Sequence, residues 1–243
     1  MAKKETPKFN LKKLSEIGEI QFITTGIDEI DAIVKFPKAR ITEIFGMQGI
    51  GKTDLMLTCI SKISQEGKVL YVDVENALNP DRLKEKNANI QNVDISDESI
   101  LQDVANFVNS QVNKYDCIVI DSVASLVTRE EANGETGDQF VGLKARLMGQ
   151  WMRQLVPVLG KSNCAVVFIN QLRESMILYG DPQFTPGGKA LPYAASLRIK
   201  LSTTKADRIP KKEGGIKGHK VTFEIVKSRV CSPHQKGQFK LIY

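Results

Sequence analysis

The apolar and polar positions alternate between strand-like and helix-like periods along most of the chain. Short, fully apolar runs such as Cys117–Ile120 and Ala165–Asn170 are typical of strands buried in a parallel sheet. Between them, Ser99–Asn113 places apolar residues four positions apart, which predicts a helix with one buried face. This alternation predicts an α/β fold in which helices flank a mostly parallel, twisted sheet.

Further elements follow from the same patterns. We predict strands at Ile41–Phe45 and Lys68–Glu75, and helices at Asp54–Glu66 and Phe140–Leu159. Pro157 is expected to kink or end the last helix. From Ser196 onward the pattern becomes β-rich, which predicts an extension of the sheet by strands at Leu197–Ser202, Val221–Val226 and Gln238–Tyr243.

Two segments show neither period, Glu130–Asp138 and Arg173–Lys189. Both contain glycine, and both follow predicted strands that end in polar residues. Long irregular segments in compact domains are usually functional or disordered. We therefore expect both to emerge on the ligand side of the sheet.

The clearest chemical motif lies directly after the strand Ile41–Phe45. It matches G-x-x-x-x-G-K-T, the P-loop pattern, and consists of Gly46, Met47, Gln48, Gly49, Ile50, Gly51, Lys52 and Thr53. Backbone N–H groups of such a loop surround phosphate oxygens at the N-terminus of the next helix, which begins here with Asp54. Lys52 would reach the β- and γ-phosphates, and the Thr53 hydroxyl would bind Mg²⁺. The motif predicts binding of a nucleoside triphosphate.

Three polar residues stand where predicted strands end. Asp121 ends an apolar strand in the manner of a Walker B motif, and could hold Mg²⁺ through its water shell. Glu75 ends the strand that follows the P-loop helix, where a carboxylate can activate a water molecule. Gln171 follows Ala165–Asn170 and could contact a γ-phosphate. Each of these residues, taken alone, could also be an ordinary polar strand end.

Composition narrows the classes of partner. The chain has 243 residues, a net charge of +6 and an isoelectric point of about 9.0, which suits a polyanion without establishing one. Basic residues are dense before residue 14 and between Lys200 and Lys220, although each group could be a solvated tail or loop. No apolar run has the length of a membrane span, so we expect a soluble intracellular chain with no membrane partner. The four scattered cysteines and two histidines disfavour a zinc site.

Five more runs complete the pattern: Tyr71–Pro80, Ile120–Val127, Gly142–Gln150, Phe168–Arg173 and Thr185–Leu191. In order and spacing, these runs and the P-loop resemble the RecA family of DNA recombinases over roughly residues 24–243. The resemblance implies a RecA-type P-loop ATPase core at 36–243, with a β-rich extension of its sheet. It also implies a short basic N-terminal segment at 1–35 that packs as a helix on an adjacent subunit. We expect no C-terminal domain.

The resemblance implies catalytic roles that the residues alone do not. ATP with Mg²⁺ would lie between subunits of a helical filament, where Lys52 binds phosphate, Glu75 activates water and Gln171 senses the γ-phosphate. Lys227 and Arg229 would reach across to the neighbouring subunit's γ-phosphate. Arg82 stands where the family usually has a tyrosine beside the adenine, and it could stack on the base as a planar cation.

DNA-contacting positions are likewise implied by the resemblance. Val141 and a residue near Met176 or Ile177 would be apolar wedges between stacked base triplets, which is physically sensible for an inserted side chain. The remaining DNA-binding candidates, in or beside the two irregular segments, are Arg146, Arg173, Gly187 and Gly188.

The expected function is an ATP-dependent recombinase that forms filaments on single-stranded DNA and exchanges strands with a homologous duplex. Single-strand-binding or loader proteins would be further partners. The location would be the cytoplasm, at the nucleoid, or the host cytoplasm if a phage encodes the chain. An annealing or mediator protein is the main alternative, since Glu174 and Ser175 make the second irregular segment less basic. A hexameric helicase or a small-molecule kinase fits the motifs less well.

Overall fold

The fold is built around one large sheet. The computed structural model describes residues 11, 13, 15, 18–174, 183–210 and 216–242. The strands of the large sheet are β3 (Arg40–Gly46), β4 (Val69–Asp73), β5 (Val93–Ser96), β6 (Cys117–Asp121), β7 (Ala165–Gln171), β10 (Leu197–Ser202), β11 (Arg208–Pro210), β12 (Ile216–Ser228) and β13 (Lys236–Ile242). Two small antiparallel pairs are formed by β1 (Phe22–Ile23) with β2 (Phe36–Pro37), and by β8 (Arg173–Glu174) with β9 (Gln183–Phe184). The helices are α1 (Asp28–Asp31), α2 (Lys52–Ile63), α3 (Pro80–Glu85), α4 (Leu101–Gln111), α5 (Arg129–Asn133), α6 (Leu143–Leu159) and α7 (Ala190–Ala194).

The strand order is β11-β12-β10-β3-β7-β6-β4-β5, and β13 pairs with β12. The run from β10 to β5 is parallel, whereas the contacts of β12 with β10, β11 and β13 are antiparallel. The predicted α/β class and the β-rich extension are therefore confirmed. Because the strands from β10 to β5 are parallel, their carboxyl ends all lie along the same edge of the sheet.

Apolar side chains cover both faces of the sheet. Residues of α2 pack on one face of the sheet. Their cluster also contains Ile27, Ile30 and Val34, which belong to the predicted N-terminal segment 1–35. Residues of α4 and α6 pack on the other face, where the Trp151 ring meets Phe168 edge-on with centroids 5.1 Å apart. The two apolar layers hold in place the strands whose carboxyl ends carry the polar residues of the predicted site. Most residues before 18 in the N-terminal segment, which the resemblance implies to pack as a helix on an adjacent subunit, lie outside the described residues.

The structure corrects three details of the sequence analysis. Pro157 does not end α6, which continues to Leu159 with the proline inside its last turn. The first irregular segment contains the short helix α5, which begins with a capping box between Thr128 and Glu131. The second is not wholly irregular, since β8 and β9 pair at its base.

None of the helices in the described part of the chain is both long and apolar enough to cross a bilayer.

Replacing Trp151, which is 1% exposed, by alanine should lower the free energy of unfolding by about 3 to 5 kcal/mol, since it leaves a cavity against Phe168. The matched control is Val156→Ala on the same helix, where the side chain is 46% exposed and a change within about 0.5 kcal/mol is expected. Urea unfolding followed by circular dichroism measures both. Equal effects of the two substitutions would contradict this description of the core.

Candidate functional site

The P-loop connects the buried strand β3 to the N-terminus of α2. Gly46 ends the strand so close to β10 that a Cβ on it would lie 2.5 Å from the Leu201 carbonyl oxygen. Gly51, the N-cap of α2, has φ +85°, a left-handed conformation that favours glycine. The loop therefore turns from sheet to helix in a conformation that leaves the N-terminal N–H groups of α2 available to an anion.

The Lys52 ammonium lies against the inside of this loop. It donates to the carbonyl oxygens of Gly46, at 3.1 Å, and Met47, at 2.8 Å. Burial lowers the pKa of Lys52, while the nearby carboxylates of Asp121 and Glu75 act in the opposite direction. The loop thus holds a cation at the place where P-loops bind phosphate.

Asp121 lies at the centre of a buried hydrogen-bonded group. Its Oδ2 accepts a hydrogen bond from Thr53 Oγ1 at 2.8 Å and another from the Tyr71 hydroxyl at 2.7 Å. Burial raises the pKa of Asp121, whereas the two hydroxyl donors lower it. Neighbouring hydroxyl and carboxylate oxygens are the hard ligands that Mg²⁺ prefers. Among the described residues, no group of three or more acidic, histidine or cysteine side chains is arranged to hold a metal ion.

The Glu75 carboxylate is held by three donors on one oxygen. Ser122 Oγ lies 2.5 Å from its Oε1, Ser125 Oγ lies at 2.9 Å, and Gln171 Nε2 lies at 3.4 Å. Glu75 and Gln171 line the same cleft as five residues of the P-loop: Gln48, Gly49, Gly51, Lys52 and Thr53. The structure therefore brings together the residues predicted separately at three strand ends.

Arg82 also lines this cleft. Its Nη2 donates to Asp54 Oδ1 at 2.7 Å, and Lys86 Nζ lies 3.6 Å from the same oxygen. The other carboxylate oxygen of Asp54 is buried without a hydrogen-bond partner. Arg82 is thus tied to the helix that begins at the P-loop, a contact that the sequence did not suggest.

Lys227 and Arg229 do not line this cleft. Lys227 Nζ donates to the carbonyl oxygens of Pro192, at 2.7 Å, and Tyr193, at 2.9 Å, and Arg229 Nη2 donates to the latter at 3.3 Å. In the sheet, Lys227 pairs with Arg198 of β10, which pairs with Glu43 of β3, three residues before Gly46. Two strand spacings across the sheet and three residues along β3 therefore separate the Lys227 backbone from the start of the P-loop by about 14 Å.

Four of the predicted DNA-binding residues lie near one end of α6. Val141 is 92% exposed just before the helix, and Arg146 is exposed in its first turns. Gly187 and Gly188 both have positive φ, and a Cβ on Gly188 would lie 2.8 Å from Ala145 Cβ in α6. The end of the second irregular segment therefore packs on the helix that follows the first.

Arg173 is exposed in β8, at the start of that second segment. Met176 and Ile177 lie outside the described residues.

Sequence reasoning missed several residues around the cleft. Ser122 and Ser125 follow Asp121 by one and four residues, so the sequence places both at the same strand end as this carboxylate. The contact of Tyr71 depends on the pairing of β4 with β6, in which Tyr71 lies opposite Val119, two residues before Asp121. That register has no local signature in the sequence.

Comparison with known proteins identifies the family. The RecA N-terminal domain family model matches residues 4–243. Protein RecA of Clostridium perfringens is 38% identical over 249 residues, covering 99% of this chain and 70% of that protein. Protein RecA of Aquifex aeolicus is 37% identical (96% and 68% covered), and that of Thermus aquaticus is 38% identical (99% and 73% covered).

Removing the Tyr71 hydroxyl should change how nucleotide binding depends on pH. Because the folded pKa of Asp121 is raised, the carboxylate is lost, and binding of a Mg²⁺–nucleoside triphosphate weakens, as the pH falls through that raised value. Tyr71→Phe removes a donor that lowers this pKa, so the loss of binding should begin at a higher pH than in the wild type. Titrations with a fluorescent nucleotide across the acidic and neutral range measure this shift.

The matched control is Tyr115→Phe, which removes a hydroxyl that donates to Asp94 at 2.8 Å, away from the cleft. It should leave the binding profile unchanged. Identical profiles for Tyr71→Phe and the wild type would contradict the role assigned to the Tyr71 hydroxyl.

Proposed function

The chain belongs to the RecA family, and from this membership we propose that it is an ATP-dependent DNA recombinase. It would form filaments on single-stranded DNA, pair that strand with a homologous duplex, and hydrolyse ATP when DNA is bound. The observation that carries the proposal is the convergence of Lys52, Asp121, Glu75 and Gln171 on one cleft at the carboxyl edge of the sheet. Such an activity would operate on DNA in the cytoplasm.

Nucleotide chemistry would be divided among the residues of the cleft. Lys52 and the N–H groups of the P-loop would bind the phosphates, while Thr53 and Asp121 would hold Mg²⁺. Bound Mg²⁺ would neutralise phosphate charge and orient the terminal phosphoryl group. Glu75, oriented by the two serine hydroxyls, would accept the proton of the attacking water.

Gln171 would connect the nucleotide with DNA. It is the last residue of β7, and β8 begins two residues later at the base of the second irregular segment. Its amide donates weakly to Glu75 at 3.4 Å, a contact that a γ-phosphate oxygen could replace. A change of partner at Gln171 would therefore act directly on the chain that leads into this segment.

The exposed residues around the start of α6 would bind DNA. Arg146 and Arg173 supply cations for backbone phosphates, and the exposed Val141 supplies an apolar side chain that can insert between bases. Gly187 and Gly188 would allow close approach of the backbone. Met176 or Ile177 would be a second wedge, on the strength of the family resemblance alone.

The filament would complete the catalytic site. Lys227 and Arg229 are too far from the P-loop of their own subunit to reach its phosphates, so they would act on the nucleotide of a neighbour. Heterologous contacts of this kind, repeated without closing, generate helical assemblies. Single- and double-stranded DNA and further copies of this chain would be the partners, with single-strand-binding or loader proteins as additional ones.

An annealing or mediator protein is the second candidate. Glu174, which follows Arg173 in β8, places an acidic residue at the base of the second irregular segment and would weaken its attraction for phosphate. Such a protein would bind ATP and DNA but exchange strands poorly. A three-strand exchange assay with ATP distinguishes the two candidates.

Glu75→Gln tests the enzymatic proposal. The substitution preserves the shape of the side chain but removes the proton acceptor, so DNA-stimulated ATP hydrolysis should fall by about 10² to 10⁴ while ATP and DNA still bind. A coupled ATPase assay and fluorescence anisotropy measure the two properties. Lys52→Ala is the comparison, and it should lose nucleotide binding itself.

If DNA does not stimulate ATP hydrolysis by the wild-type protein, the proposed function is wrong. If Glu75→Gln hydrolyses ATP at the wild-type rate, the role of Glu75 is wrong.

A further inference from the structure

A fully buried carboxylate lies outside the cleft and has no part in the roles described above. Glu43 is in β3, three residues before the P-loop, and its side chain is 0% exposed. Burying a charge is costly unless it is paired, and a well-packed apolar set of similar volume is often equally stable or more so. A gain in stability therefore does not explain why this strand carries a glutamate.

Each oxygen of Glu43 has a different partner. Oε1 accepts a hydrogen bond from Asn170 Nδ2 at 3.0 Å, and Oε2 accepts one from Arg198 Nε at 2.6 Å. Arg198 is further fixed by the Phe45 ring, whose centroid lies 4.5 Å from the guanidinium carbon. Glu43 thus ties β3 to both of its neighbouring strands, β7 and β10, through side chains.

The Asn170 amide extends this connection to two functional segments. Its Oδ1 accepts a hydrogen bond from the Gln171 N–H at 2.9 Å, and its Nδ2 also donates to the Pro186 carbonyl at 3.1 Å. Pro186 precedes Gly187 and Gly188, which pack on α6. One amide therefore holds both the residue proposed to sense the γ-phosphate and the end of the proposed DNA-binding segment.

Arg198 extends the connection in the other direction. It lies opposite Lys227 in the antiparallel pairing of β10 with β12. Burial, Arg229 and Arg198 each lower the pKa of Lys227, in that order, and Glu43 acts in the opposite sense. The Glu43 carboxylate therefore offsets positive charge next to the residues proposed to act on a neighbouring subunit.

We propose that Glu43 and Asn170 are positioning residues that couple ATP binding to DNA binding. By holding Gln171, Pro186 and Arg198 in one arrangement, they transmit a change at the nucleotide to the DNA-binding segment and to the strand that carries Lys227. Neither residue lines the cleft. The inference rests on the proposed function and adds the residues through which its two binding events communicate.

The test measures how strongly binding of an ATP analogue changes the affinity for DNA, and not catalytic activity. This coupling is the ratio of the dissociation constants for a fluorescein-labelled single-stranded oligonucleotide without and with a non-hydrolysable ATP analogue. The ratio is commonly about 5 to 150 in coupled systems. Glu43→Gln keeps one side-chain oxygen in place of the two that accept from Asn170 and Arg198, and it removes the charge paired with Arg198. We expect it to lower this ratio about tenfold, or to unity, while affinity for the analogue without DNA changes less than about threefold.

Two further variants distinguish a positioning role of Glu43 from a general effect on the folded structure. The triple variant Glu43→Met, Asn170→Leu and Arg198→Met replaces the buried polar set by apolar side chains, which usually preserves folding, and it should remain uncoupled. Glu224→Gln is the matched control, because it removes one negative charge from the pair with Lys236 on the same sheet, at 3.2 Å, and should keep the wild-type ratio.

The inference is overturned if Glu43→Gln keeps the wild-type ratio, if the triple variant restores it, or if Glu224→Gln loses it equally. A wild-type protein whose DNA affinity does not respond to the analogue would instead refute the proposed function, and this inference with it. The two failures are therefore distinguishable from the wild-type measurement alone.

Discussion

The parallel pairing of β3 with β7 is the constraint on which the rest of the structure depends. Its register sets Gly46, the first residue of the P-loop, opposite Gln171. The pairings of β7 with β6 and of β6 with β4 then bring Asp121 and the end of β4 to the same edge. Hydrogen bonds along the strands and the apolar layers on both faces keep this register, since a slip of one residue would turn every buried side chain to the opposite face.

Much of the site could be predicted because its residues stand at strand ends. The P-loop has a sequence pattern of its own, and Asp121, Glu75 and Gln171 follow apolar runs that are easily recognised as buried strands. Their convergence follows from the parallel sheet alone. The roles of Lys227 and Arg229 came only from the family resemblance, because nothing local distinguishes them from exposed strand charges.

The rest depended on contacts between distant strands. Glu43 and Asn170 are 127 positions apart, and only the register of β3 with β7 and the direction of each side chain bring them together. The Tyr71 hydroxyl likewise reaches Asp121 only through the register of β4 with β6. The helix α5 is different, since the capping box of Thr128 and Glu131 is a local signal, although the glycines and acidic residues that follow it indicate a loop.

The central claim is that the catalytic site is shared between subunits, with Glu75 from one chain and Lys227 from the next. Glu75→Gln and Lys227→Ala should each be inactive alone, yet an equal mixture can form sites with Glu75 from one variant and Lys227 from the other. With random mixing, half of the subunits carry Glu75 and half of their neighbours carry Lys227, so a quarter of the sites are complete. DNA-stimulated ATP hydrolysis should therefore return to about a quarter of the wild-type rate. If the mixture stays as inactive as its components, Lys227 does not act across the interface and the account is contradicted.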